Sequence, residues 1–224
     1  MKPINQYIDH TLLKPEATKE QIEQLCKEAI EHQFATVCVN PVYVPLCAKL
    51  LKNTPVKVCT VVGFPLGSNK LAVKRFEAEQ AIEDGAEEID YVLNISAVKN
   101  GDLLEVKEEM NAMAGLKKKY SGIVVKCIFE TCYLSLSEIK QLSNLASKTE
   151  LDFIKTSTGF GSGGATEEVV KVMAEFSGEK VEVKASGGIR TREQFQIYRD
   201  LGVSRIGTSN GIAIVSGAPS SEGY

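Results

Sequence analysis

The chain has 224 residues, 43% of them apolar and 25% charged, enough to fill one sizeable core, which excludes disordered and fibrous classes. Acidic residues number 29 against 26 basic ones, and the net charge of -3 presents no broad cationic face to nucleic acid. No apolar run reaches the roughly 20 residues a bilayer crossing needs, and the opening MKPINQYIDH lacks the apolar stretch of a secretion signal, so a cytoplasmic protein with no membrane partner is expected.

Apolar, β-branched runs recur along the chain: YIDHTLL from Tyr7, ATVCVN from Ala35, VKVCTVVGF from Val56 and EEIDYVLN from Glu87. They continue with IVVKCIFE from Ile123, LDFIKTS from Leu151, VEVKAS from Val181 and SRIGTS from Ser204. These eight candidate strands start about 28 residues apart on average. The segments between them carry helical periodicity, as at Ile22, Leu25, Cys26, Ala29 and Ile30. Thr18 with Gln21, Ser135 with Glu138 and Thr191 with Gln194 have the spacing of capping boxes and mark helix starts.

Strands without apolar–polar alternation belong to parallel sheets covered by helices, and eight such βα units fit a single-domain (β/α)8 TIM barrel. A doubly wound sheet is the competing arrangement, but no GxGxxG follows the first strand and composition does not break the chain into halves. The barrel is expected over residues 1–215, with 216–224 as a flexible C-terminal tail.

Six cysteines, at 26, 38, 47, 59, 127 and 132, never form CxxC and mostly sit in apolar strings, which reads as reduced, buried thiols. Cys38 faces either the substrate or the barrel wall. The two histidines, His10 and His32, cannot make a nitrogen-rich zinc set, so no metal and no other cofactor is expected; His10 reads as structural.

Three lysines interrupt the later strands, Lys126, Lys155 and Lys184, spaced 29 and 29 apart. That interval equals the βα repeat, so the three are expected at similar heights on consecutive strands about 4.8 Å apart. Outward lysines under a helix, or lysines paired with a carboxylate such as Glu130, are the plain alternative. The chemical alternative starts from the unperturbed lysine pKa of about 10.4, at which only about one amine in 2,500 is neutral at pH 7. A second ammonium about 6 Å away in an effective dielectric near 20 costs roughly 2.8 kcal/mol, or about two pKa units. Desolvation acts in the same direction, and a neutral lysine is a Schiff-base nucleophile.

Asp90 lies inside EEIDYVLN, where burial is too costly for a carboxylate without a partner. Beside the lysines it either moves protons or only balances charge. Asp9 is similarly placed on the first strand. Glycine clusters STGFGSGGAT, ASGGIR and RIGTSNG close the last three strands, each ahead of a helix. Singly they are tight turns; together they favour a phosphate site of the kind barrels build after strands seven and eight.

IDHTLLKP, VCTVVGFPLG, EEIDYVLN, FIKTSTGF and VEVKASGGIR resemble deoxyribose-phosphate aldolase, and the similarity spans nearly the whole chain. The resemblance implies a class I aldolase that reversibly cleaves 2-deoxy-D-ribose 5-phosphate to acetaldehyde and D-glyceraldehyde 3-phosphate without metal. Lys155 would form the Schiff base, Lys184 would be the second lysine and Asp90 the proton-transfer carboxylate. Substrate contacts would fall on Gly159, Gly188, Ile189, Gly207 and Ser209, with Asp9 nearby. Asn210 departs from the serine often found there. The resemblance further implies a homodimer and a catalytic Tyr224 on the tail. A transaldolase-like enzyme and a barrel that merely binds sugar phosphates are the alternatives, separated by acetaldehyde release and by imine trapping.

Overall fold

The computed structural model describes residues 2–219, and among these eight parallel strands close into a barrel in sequence order. They are β1 (Ile8–Leu12), β2 (Thr36–Val39), β3 (Lys57–Val62), β4 (Glu88–Val92), β5 (Val124–Ile128), β6 (Phe153–Lys155), β7 (Glu182–Ser186) and β8 (Arg205–Thr208). Each lies within the apolar run that marked it. The barrel shuts where β8 pairs with β1, Gly207 opposite Asp9.

The helices wrap the outside: α1 (Lys19–Glu31), α2 (Val44–Leu50), α3 (Leu71–Glu83), α4 (Ile95–Lys99), α5 (Leu103–Ala114), α6 (Leu136–Ala146), α7 (Glu167–Phe176), α8 (Arg192–Asp200) and α9 (Gly211–Ser216). All three expected capping boxes form, at Thr18, Ser135 and Thr191. In each, the cap hydroxyl accepts an N–H of the first turn that has no partner within the helix.

Outward strand residues such as Val37, Val58, Ile89, Val125, Ile154, Val183 and Ile206 bury against helix residues including Leu25, Met110, Leu142 and Phe195. This annulus is the main hydrophobic core. Inside the barrel only a small second cluster is apolar, Leu13, Cys38, Cys59 and Val61, with Phe64 packed on it. Cys38 is fully buried there, facing the lumen rather than the helices. The lysine on α3 has an unexpected place: Lys74 is fully buried, donates to the carbonyl of Val92 at 2.8 Å and pairs with Glu109 of α5 at 2.5 Å. Glu109 also accepts the N–H of Asn94 at 2.9 Å, which fixes where the chain leaves β4.

Candidate active site

Period-two alternation sends Glu88 and Asp90 of β4 into the lumen together, and parallel pairing places Asp90 opposite Lys126 of β5. Lys155 of β6 stands opposite Lys184 of β7, and Lys184 opposite Arg205 of β8. Lys126 does not share that level. It pairs with Phe153, two residues below Lys155, because the stagger of a closed barrel is invisible in a constant sequence spacing.

All these charges meet at Asp90. Its Oδ2 accepts from Lys155 Nζ at 2.8 Å and from Lys184 Nζ at 2.7 Å, while Oδ1 accepts from Lys126 Nζ at 3.0 Å. Lys126 continues to Glu88 at 2.5 Å. Lys184 continues to Asp9, and Arg205 bridges Asp9 at 2.6 Å and Glu88 at 3.0 Å. Burial opposes ionisation of Asp90, but the three ammoniums outweigh it and hold the carboxyl well below its usual range. Burial likewise opposes the charge on Lys184, and Asp9 and Asp90 outweigh it, holding that ammonium well above the usual lysine range. None of the three lysines pairs with Glu130. Three carboxylates thus face four bases, a cluster left electrically balanced when one base gives up a proton.

The lysines divide by access. Lys126 and Lys184 are fully enclosed, whereas Lys155 lines a pocket at the C-terminal rim of the strands. That pocket is walled by Thr11 and Leu13 of the first βα unit, Thr158 and Gly159 after β6, Gly187 to Arg190 after β7, and Gly207 to Asn210 on β8 and beyond. Gly159, Gly188, Ile189, Gly207 and Ser209 are therefore brought together with Lys155. Asp9, expected among the substrate contacts, is instead fully buried between Lys184 and Arg205 and is not a wall of the pocket. Tyr224 lies outside the described residues.

Two glycine clusters meet by close backbone approach. A Cβ on Gly164 would fall 2.2 Å from the carbonyl oxygen of Gly187, so the β6–α7 loop lies directly on the β7–α8 loop. A Cβ on Gly207 would come within 3.2 Å of Lys184 Cε, so this glycine makes room for the second lysine. Arg205, Glu88 and the pocket residue Arg190 were not singled out from the sequence. Glu88 could have been found, since it stands two residues before Asp90 on the same face.

Asp90, Cys38 and Cys59 bring possible metal-ligand atoms within 4.8 Å of one another. Both oxygens of Asp90 already face ammonium groups, whose charge opposes a cation.

A lysine that reaches a polar pocket while sharing a carboxylate with a second, enclosed lysine is an arrangement for carbonyl chemistry. Residues 4–215 match the family model described as DeoC/LacD family aldolase. The chain belongs to this aldolase family. A deoxyribose-phosphate aldolase of a Thermoanaerobacter species is 53% identical to it over 95% of both chains. Deoxyribose-phosphate aldolase 1 of Vibrio vulnificus is 49% identical over 99% of this aldolase and 100% of its own length. Among solved structures, the tetrameric deoxyribose phosphate aldolase from Aeropyrum pernix superposes with a TM-score of 0.87 at 34% identity, covering 95% of this aldolase and 89% of its own chain.

Proposed function

We infer that this protein is a class I deoxyribose-phosphate aldolase, which cleaves 2-deoxy-D-ribose 5-phosphate reversibly through a Schiff base on Lys155. One observation carries the assignment of the lysine: Lys155 is the member of the lysine trio that lines the pocket, and its Nζ sits 2.8 Å from Asp90.

Neutral Lys155 attacks C1 of the open-chain sugar phosphate, and Asp90, acting through water, assists loss of hydroxide as water to give the iminium. The cationic nitrogen then accepts the electron pair of the C2–C3 bond as the C3 hydroxyl loses its proton. Glyceraldehyde 3-phosphate leaves and an enamine remains. Protonation at C2 regenerates the iminium, and hydrolysis frees acetaldehyde and Lys155. Lys184, kept charged by Asp9 and Asp90, holds Asp90 ionised and in place. The phosphate is assigned to Gly159, Gly188, Ile189, Gly207 and Ser209, remote from the breaking bond, so its binding energy serves orientation. No metal enters these steps.

Borohydride reduction in the presence of acetaldehyde, followed by peptide mapping, tests the assignment. A stable adduct on Lys155 is expected; an adduct elsewhere, or none, overturns it. The same proposal includes a cytoplasmic setting, where the free cysteines stay reduced. Among the described residues no helix is long and apolar enough to cross a membrane. It also includes assembly as a homodimer, as the family resemblance implies. Light scattering at the mass of a single chain would overturn that part.

A further inference from the structure

The chain leaves β5 through Glu130, which is only 2% exposed and stands at φ 54, a left-handed conformation that costs a residue with a side chain. Such a conformation persists where the surroundings hold it. Glu130 forms no ion pair with the central lysines. Its carboxylate turns instead to the loop after β6, where both oxygens accept the N–H of Thr158, at 3.2 and 3.3 Å. One of them also accepts the Thr158 hydroxyl.

The Thr158 oxygen in turn accepts the N–H of Phe160 at 3.0 Å, and the Phe160 ring meets Phe64 edge-on with centroids 5.3 Å apart. The neighbouring Thr131 N–H donates to the carbonyl of Thr156 at 3.0 Å. Gly161 packs on the same side chain: a Cβ there would fall 3.2 Å from the Glu130 carboxyl carbon and 2.7 Å from Cys132 Sγ. Thr158 is thus bonded directly to one buried carboxylate, Gly161 packs on it and Thr156 is held by the neighbouring Thr131 backbone, and Thr158 and Gly159 are walls of the pocket.

We propose that Glu130 is a positioning residue for the phosphate end of the substrate, setting the Thr158–Gly159 turn through its hydrogen bonds to Thr158. The proposal rests on the aldolase assignment above and adds a residue to it. Glu130 makes no ion pair with Lys155, whose charge reaches it only through space, and the hydrogen bonds of its carboxylate run to Thr158 and to Cys132 Sγ. A carboxylate suits the task because it accepts from an N–H and an O–H at once and donates nothing. Such charge-assisted bonds are stronger than neutral ones.

The test compares kcat/KM for 2-deoxyribose 5-phosphate with kcat/KM for phosphate-free 2-deoxyribose. In Glu130→Ala the ratio of the two should fall about tenfold, chiefly through KM for the phosphorylated sugar, as expected when a charge-assisted contact that orders a binding loop is lost. Glu130→Gln should recover part of the ratio, since its amide oxygen still accepts one hydrogen bond. Thr158→Val, which keeps side-chain shape while removing the hydroxyl, should lower the ratio like Glu130→Ala; Thr158→Ser should not. Equal losses on both substrates in Glu130→Ala and Thr158→Val would overturn the proposal, because general weakening of the fold does not distinguish phosphate. If Glu130→Ala fails to fold, Glu130→Gln decides: a loss confined to the phosphorylated sugar is expected there, and an equal loss on both sugars would overturn the proposal. Failure of the aldolase assignment looks different: the unsubstituted enzyme would then trap no acetaldehyde on Lys155.

Discussion

Asp90 answers to three ammonium groups at once, so its substitution should cost both chemistry and stability. Asp90→Asn should slow turnover about 100-fold or more, the scale of a lost general acid/base, as measured by acetaldehyde release. It should also cost about 3 kcal/mol or more in urea denaturation, since three buried lysines lose their shared counter-charge. Because the carboxyl of Asp90 is depressed in the folded state, its contribution to stability is present above about pH 4 and fades as pH falls below that. The acid limb of the stability profile should therefore flatten in Asp90→Asn. Lys184 is raised, so its contribution is complete below about pH 10 and is lost only as pH climbs higher. Lys184→Leu leaves three bases facing three carboxylates, so imine formation should require higher pH than in the unsubstituted enzyme; an unmoved profile would mean that Lys184 has another part. Lys155→Met should abolish imine trapping outright. These three residues were legible because charged side chains interrupt apolar strands there. Arg205 was not, because it sits at the first position of its strand, where a charge reads as a solvated end; Glu88 holds the same position, and only its two-residue spacing from Asp90 marks it.

Strands and caps were equally legible as elements, since unbroken apolar runs and cap hydroxyls act locally. Ser135→Ala should cost about 1 kcal/mol in urea denaturation with kcat unchanged, because the cap serves α6 alone. Lys74 shows where periodicity stops being informative. Its buried bond to Glu109 joins helices whose sequences are far apart, and nothing in LAVKRFEAE distinguishes this lysine from a solvated one. The loops repeat the lesson: three glycine clusters pointed to an anion pocket, but which glycine served which purpose depended on tertiary contact. Gly164→Ala would drive a methyl into the Gly187 carbonyl. It should raise KM for the phosphorylated sugar about tenfold or more, as displaced wall residues lose substrate contacts remote from the reacting bond. An unchanged KM would show that the two loops can part without consequence for the phosphate.

For the molecule as a whole, alternation of strand and helix was enough to identify a barrel, whereas the stagger that lowers Lys126 by two residues exists only once the ring closes. The expected part for Tyr224 concerns residues beyond 219. Deleting it should slow exchange of acetaldehyde methyl protons with deuterated water more than it slows imine formation, and equal slowing would leave the tail without a chemical part.

The separation of the greasy annulus from the charged lumen carries a practical corollary for anyone who would redesign the protein. Thermal endurance is governed mostly by residues such as Met110, Leu142 and Phe195, none of which faces the substrate, while reactivity is governed by side chains that contribute little apolar burial. Two engineering campaigns, one hardening the shell against heat or solvent and one retuning pocket-wall positions such as Thr11 and Ser209 for other aldehydes, can thus proceed on nearly disjoint sets of positions so long as the ion cluster around Asp90 is left intact. Their gains should combine almost additively wherever the chosen sites lie more than about 10 Å apart and share no neighbour.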